Sequence, residues 1–457
     1  MNRFPAALCA GLLLVGVACE GRITESDPPT GVPIDVELRR LMGPPYGPVP
    51  IGPVPAQSPA LVSLGQALMF DKLLSGNKDI SCATCHQPSL AAGDGLSLAI
   101  GTGGTGSGSG RTLGTGRQFG PRNAPTLLNK GLGLFYMFQD GRLQGHGGGF
   151  NFRPAGGVPL PAGLPNLLAA QAMFPVLSRQ EMRGEPGDTD VLGNPNELAQ
   201  FGDSQYTEIW RAVMQRVLAV PEYRTMFAAA FPGTPQSVLG FQHAATAIAA
   251  FQMQALTKTN SPFDRYLDRD DAALTLEEKR GALLFFGPKA RCSSCHTGPF
   301  LGASGFENVG VPQVGPGTGS GAPLDFGFGD VIGSEFYRFA FRVAPLRNVE
   351  LTAPYFHNGA YPTLETVVRH YNNVPVALRT YDVSQLDPAL RDSYHGDAAT
   401  IDAVLATLDF RIRTPLNLSD EEVGQLVAFL KSLTDPAARD LSAIAPLGVP
   451  SGLPVNE

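Results

Sequence analysis

Two short segments constrain this chain of 457 residues more than any others: Cys82-Ala83-Thr84-Cys85-His86 and Cys292-Ser293-Ser294-Cys295-His296. Two thiols three positions apart reach the two vinyl groups of one porphyrin and form thioethers. The histidine that follows turns under the ring to ligate iron, which makes the pentapeptide the attachment signature of a c-type haem. With six cysteines and seven histidines, one such pentapeptide by accident is roughly a one-in-a-thousand event and two roughly one in a million. The rival readings are a CxxC disulfide and half of a zinc site, and zinc would want further Cys or His at finger-like spacing. Two covalent haems are therefore expected, held by Cys82, Cys85, Cys292 and Cys295, with His86 and His296 as iron ligands.

The remaining cysteines, Cys9 and Cys19, belong to the start of the chain. Met1, Asn2 and Arg3 make a short positive segment, and the apolar run from Phe4 to Val17 is too short to span a bilayer, the pattern of an export signal over 1–18. Gly16-Val17-Ala18-Cys19 resembles a lipobox, in which Cys19 becomes the lipidated first residue; a simply cleaved signal is the alternative. Either one places the protein outside the cytoplasm, in the periplasm. Residues 19–60 are rich in Pro and Gly and read as a tether. No apolar run reaches the ~18 residues of a membrane span. A formal charge of −7 without a basic stripe argues against a nucleic-acid partner.

Length suggests two domains of about 150–200 residues each. Apolar residues recur at helical spacing from Leu61 to Phe70, before the first CxxCH, and from Leu274 to Phe286, before the second, where Thr275 and Glu278 form a capping box. This is a weak internal repeat, consistent with two cytochrome-c-like lobes. A further capping box, Ser419 with Glu422, precedes Val423, Leu426, Val427 and Leu430 on one helical stripe. Helices are also expected around Ile209–Leu218 and Phe241–Leu256, with Trp210 and His243 read as core residues. Gly101–Gly116, Gly141–Pro165 and Val311–Gly333 have loop composition, which argues against regular structure there. The fold class is mainly α: two haem lobes with long Gly/Pro-rich loops, over 61–265 and 266–440, followed by a tail at 441–457.

The stretch Phe341–Gly359, FRVAPLRNVELTAPYFHNG, resembles the signature of the bacterial di-haem cytochrome c peroxidases and their MauG-like relatives, the MbnH branch included. Gly120–Thr126 (GPRNAPT), Asp140-Gly141-Arg142, and Gln171 with Pro175, Glu181 and Met182 resemble that family in the same order. The resemblance runs from about Leu61 to Leu433. It implies that the first haem, on His86, is the site that reacts with hydrogen peroxide. Gln171 and Glu181 would lie over its open face, with Glu181 moving the proton that lets the O–O bond break. Family members often place a displaceable histidine just before the GPRN motif. Here that stretch is Ile100–Gly104, with no histidine between His86 and His146. The resemblance therefore implies a five-coordinate first iron; His146, in the next loop, is the alternative sixth ligand.

For the second haem, the position that carries methionine in plain peroxidases falls on Tyr371. All nine methionines lie at or before Met253, so none follows the second CxxCH. The rivals for this role are His370 and a merely structural tyrosine. A phenolate favours higher oxidation states where a thioether favours the ferrous one. The resemblance thus points to an exported peroxide-driven enzyme that oxidises a partner protein. The alternatives are peroxide detoxification with electrons from a small cytochrome c or cupredoxin, and, in another class, a non-catalytic electron carrier or redox sensor. Gln139 stands where the family has a tryptophan between the haems, which leaves the inter-haem route to tunnelling or to Phe138 or Tyr136. The family's calcium would be held by the Asn123 side chain and the Thr352 and Pro354 carbonyls, hard oxygen donors suited to that ion. Such enzymes often form homodimers.

Overall fold

The computed structural model describes residues 32–44, 47–146, 151–154, 157–302 and 305–455, with no side chains described at 146 and 151–154. The export signal and Cys19 lie outside the described residues. The chain is mainly helical, and the described strands are short: a three-stranded antiparallel sheet and a two-stranded ribbon.

Two large hydrophobic clusters organise the helices. In the first, helix Pro59–Phe70 crosses helix Phe241–Ala255; in the second, helix Leu276–Phe286 crosses helix Asp420–Ser432. The crossings share one device. A Cβ on Gly65 would overlap the Ala247 carbonyl and press on Phe251, while a Cβ on Gly281 would overlap the Gln425 carbonyl and press on Phe429. Each helix thus uses a glycine to bring two backbones together, against a phenylalanine one turn after the touched carbonyl. The weak repeat around the two CxxCH motifs is a repeat of this contact. The capping boxes sit where they are expected: the Glu278 N–H donates to Thr275 Oγ1 (3.3 Å) and the Glu422 N–H to Ser419 Oγ (3.3 Å).

The loops depart from expectation. Within Gly141–Pro165, Leu143–His146 pairs with Tyr136–Met137 on one side and with Asn151–Pro154 on the other. Val311–Gly333 holds a short helix at Phe328–Ile332. Glycine-rich composition lowers intrinsic propensity, but in the first of these loops antiparallel pairing with the neighbouring segments outweighs it.

The chain ends also depart. Within the stretch read as a tether, Ile34–Leu41 is a helix that joins the second cluster through fully buried Leu38. Its Asp35 accepts from the Tyr266 hydroxyl (2.9 Å) and pairs with Lys279 (2.8 Å). Pro and Gly on either side mask the amphipathic IDVELRRL. The last residues cross the other way: Leu441, Ile444, Val449 and Leu453 pack on the first cluster. There the Ser451 hydroxyl donates to buried Asp71 (2.7 Å), which also accepts from Tyr223 (2.7 Å).

The crossings can be tested by a pair of substitutions. Gly281→Ala should destabilise the haem-loaded protein by about 1–3 kcal/mol through overpacking. Gly424→Ala, on an exposed helical position with nothing within 4 Å of the added Cβ, should stabilise it by about 0.5–1 kcal/mol. Thermal unfolding of both variants reads the two signs.

Candidate functional site

Both CxxCH segments fold alike. The backbone N–H of His86 donates to the Cys82 carbonyl (3.1 Å) and that of His296 to the Cys292 carbonyl (2.9 Å), wrapping each histidine back over its cysteines. His86 Nδ1 lies 3.1 Å from the Ala92 carbonyl and His296 Nδ1 lies 2.9 Å from the Leu301 carbonyl. An Nδ1–H given to a carbonyl fixes the tautomer and leaves Nε2 as the ligand nitrogen. Burial lowers the His86 pKa to about 4 and moves that of His296 in the same direction, so both rings are neutral, the form that binds metal. None of the four cysteines is in a disulfide. Among the described residues no three His, Cys, Asp or Glu side chains gather as an ion site, so a zinc reading finds no further ligands. The donor set fits two covalent haems.

Gln171 and Glu181 lie on one continuous segment. Gln171 is on helix Leu167–Ala172, and Glu181 is on the π-helical turn Arg179–Arg183, whose first N–H groups are capped by Ser178. Single π turns widen a helix locally and often occur at functional sites. Glu181 reaches solvent on one side but is set deep among protein atoms. Burial pushes its carboxyl above the ordinary range, against the pull of the Arg142 guanidinium. Arg142 itself sits 3.7 Å over the Phe138 ring and pairs with Asp140 (2.9 Å). The Ile100–Gly104 loop packs on this turn: the Thr102 N–H donates to the Glu181 carbonyl (2.9 Å), and a Cβ on Gly101 would overlap the Gln180 and Glu181 carbonyls. Arg111 pins the same loop through the Ile100 (2.9 Å) and Gly101 (2.8 Å) carbonyls. The His146 side chain lies outside the described residues.

At the second site, neighbouring residues of helix Leu364–Asn372 have opposite surroundings. His370 is buried with both ring nitrogens engaged, Nδ1 with the Tyr361 hydroxyl (2.9 Å) and Nε2 with the Val309 carbonyl (2.8 Å). Tyr371 is half-buried, and burial together with the nearby Cys295 and Cys292 thiols raises its phenol pKa. Tyr371 therefore faces the second CxxCH, while His370 is tied elsewhere.

The family-like motifs converge on the seam between the two clusters. Buried Arg122 forks onto Asp325 (2.7 and 2.8 Å) and also pairs with Asp140, which its cations hold down at about 2. The Asn123 N–H donates to the His357 carbonyl (2.7 Å), and the His357 ring stacks on Phe341 at 3.6 Å. Gln139 occupies the same seam, its carbonyl accepting from the Arg342 N–H (2.8 Å) and its amide donating to the Asn123 carbonyl (3.4 Å). Trp210 lies elsewhere, in the first core, with its indole N–H on the Met173 carbonyl (2.8 Å).

Arg342 and Arg347 stand inside the Phe341–Gly359 motif, which assigned them no role, and Lys130 lies outside every motif. Burial and the like charge of Arg342 lower Lys130 to about 7, and burial lowers Arg342 to about 10. One terminal nitrogen of Arg342 and one of Arg347 are buried without a hydrogen-bond partner. Arg347 pairs with buried Asp264 through its other nitrogen, whereas Lys130 and Arg342 are, among the described residues, buried cations without a paired carboxylate and suit the propionates of a porphyrin.

Asn123 and Thr352 line one hollow with Asp94 and Ala353, next to Pro354. Asp94, not found from sequence, is 2% exposed. One of its oxygens accepts from the Leu96 N–H (3.0 Å) and the other has no partner; burial pushes the carboxyl up to about 7. An orphaned carboxylate oxygen among carbonyls fits a hard cation.

A family model described as di-haem cytochrome c peroxidase matches residues 59–272. The chain is 31% identical to the cytochrome c551 peroxidase of Nitrosomonas europaea over 84% of each chain. It is 29% identical to the methylamine utilization protein MauG of Methylorubrum extorquens, over 83% of this chain and 80% of that one. Among solved structures it resembles a MauG-like protein associated with microbial copper homeostasis (TM-score 0.58, 27% identity, 88% of this chain and 97% of that one). The di-haem peroxidase BthA from Burkholderia thailandensis shares the fold (TM-score 0.55, 21% identity, 89% of this chain and 97% of that one).

Asp94 generates a pH prediction. Its folded pKa lies above the ordinary aspartate value of about 3.9, so folding favours the protonated form. With calcium chelated, that contribution is full at low pH and is lost as pH rises through about 7. Urea unfolding of the haem-loaded protein across this window should show falling stability, and Asp94→Asn should flatten the slope. An equal slope in the variant would remove the assignment.

Proposed function

The chain belongs to the di-haem cytochrome c peroxidase family and is a peroxidase-type oxidoreductase, and we propose that within this family it is a periplasmic enzyme of the MauG-like kind, which spends peroxide on oxidising a partner protein. The observation that carries the reading is the contrast at the second site: Tyr371 beside Cys292 and Cys295, His370 locked by two hydrogen bonds, and no methionine after Met253.

Bound haem supplies one iron that takes up hydrogen peroxide and a second that shares the oxidising charge. The protein's part is as follows. The two lobes present His86 and His296 through Nε2, each ring held by a carbonyl. The Tyr371 phenol oxygen would hold the second iron together with His296. Lys130 and Arg342 would neutralise propionates at the seam. Over the first haem, Glu181 holds a proton more tightly than an ordinary carboxylate does and delivers it to the departing oxygen; Gln171 orients the peroxide. The pinned, glycine-rich Ile100–Gly104 loop brings no side chain that could close the first iron, which supports a five-coordinate resting site. Asn123, Asp94 and the Thr352 and Pro354 carbonyls would hold a calcium ion in their shared hollow. A lipid anchor at Cys19, from the lipobox-like segment, and a homodimer, from the family resemblance, belong to the same reading. Gln139 favours a second reading: without an oxidisable ring there, charge sharing is weaker and plain peroxide reduction with electrons from a small redox protein gains ground.

Tyr371→Met should raise the second haem's reduction potential in spectroelectrochemical titration; an unchanged potential would sink the ligand assignment. Glu181→Gln should slow the reaction with peroxide by about 10²-fold or more in stopped-flow absorbance. The resting protein should show one high-spin and one low-spin haem by magnetic resonance, and two low-spin haems would point to an electron carrier instead.

A further inference from the structure

The second site continues outward as a file of oxidisable rings. Tyr371 contacts His370 (ring centroids 5.5 Å) and Phe356 (6.0 Å), and both contact Tyr361, at 5.1 and 5.5 Å. Tyr361 meets Tyr381 edge-on at 5.4 Å, and Tyr381 meets Tyr394 at 5.2 Å. All these separations fall in the range of direct aromatic contact, about 4.5–7 Å. Tyr361 is buried, Tyr381 is half-buried with its hydroxyl on the Ala360 carbonyl, and half-buried Tyr394 reaches the surface. The Tyr361 hydroxyl lies on His370 Nδ1 (2.9 Å), so the buried ring carries a proton partner. Here three phenols stand in series.

We infer that Tyr361, Tyr381 and Tyr394 form a relay that carries oxidising charge from the second haem site to the protein surface at Tyr394. The inference rests on the reading of Tyr371 given above and adds the exit to it. Hydrogen peroxide is the oxidant: it takes two electrons and two protons to become two waters. Tyr361 gives one electron toward the second site, and its phenolic proton shifts along the 2.9 Å hydrogen bond to His370 Nδ1. Tyr394 then supplies an electron through the ring of Tyr381 and releases its proton to water, while Tyr361 takes its own proton back. The neutral Tyr394 radical is quenched by one electron and one proton from an external donor, such as an oxidisable side chain of a partner docked over Tyr394. A second turn uses the other oxidising equivalent. The Tyr381 hydroxyl faces a carbonyl that cannot hold a proton, so Tyr381 acts as a bridging ring and not as a resting place.

The test adds peroxide to the haem-loaded protein without reductant, freezes samples for electron paramagnetic resonance, and maps nitrone spin-trap adducts by peptide mass spectrometry. The wild type should give a tyrosyl radical with adducts at Tyr394. Tyr394→Phe should lose those adducts and most of the signal. Tyr361→Phe, which removes the first step while keeping the ring, should lose both while its own fold is checked by thermal unfolding. Equal radical yield in both variants overturns the relay. Haem absorbance is followed in the same samples. No optical response to peroxide in the wild type would sink the peroxide reading and the relay with it. A normal response with unchanged radicals in the variants would remove the relay alone.

Discussion

The fork of Arg122 onto Asp325, with Asp140 on its other side, is the interaction on which the arrangement depends. It joins a loop after the first CxxCH to a loop after the second, and all three groups are almost fully withdrawn from water. Removing one partner from such a network typically costs about 3–5 kcal/mol, because the remaining charges stay buried and uncompensated. Its value is positional as much as energetic. Arg122 precedes Asn123, Asp140 precedes the Arg142 that acts on Glu181, and Asp325 faces the stacked pair of His357 and Phe341. One ion-pair cluster therefore sets the cation hollow, the electrostatics over the first site and the spacing between the two sites.

Around that clamp the protein applies one building rule twice. Each half uses a helix crossing closed by a glycine and backed by phenylalanine, and each places a CxxCH within reach of the incoming helix. Divergence then falls on the segments that follow each CxxCH. In the first half these include a π turn with Glu181 and a glycine-rich loop; in the second, a helix with Tyr371 near Cys292 and Cys295 and His370 tied to Tyr361 and Val309. A single scaffold so carries two different sets of side chains.

Much of this was legible in the sequence because it is written locally. CxxCH needs only five residues to declare itself, and Thr275 with Glu278 or Ser419 with Glu422 announce helix starts through hydrogen bonds three residues long. Tyr371 was singled out by register within a family-like motif, and the structure sets it near Cys292 and Cys295. The features that escaped are made by distant parts of the chain. The Asp94 carboxyl is unremarkable until burial leaves one oxygen unpartnered, and Arg342 and Lys130 become informative only when they are seen crowding each other. The strand Leu143–His146 exists through its partners and not its propensity. The helix Ile34–Leu41 was hidden by flanking prolines and glycines, although its own pattern is strongly amphipathic.

The chain ends are exchanged: the helix near the start closes the second core, while the segment from Leu441 to Val455 closes the first. A protein assembled from its amino terminus therefore presents its first haem-binding half without the final piece of that half's core. A change at Leu441 or Leu453 would therefore be felt in the half that carries the first CxxCH, far away along the sequence.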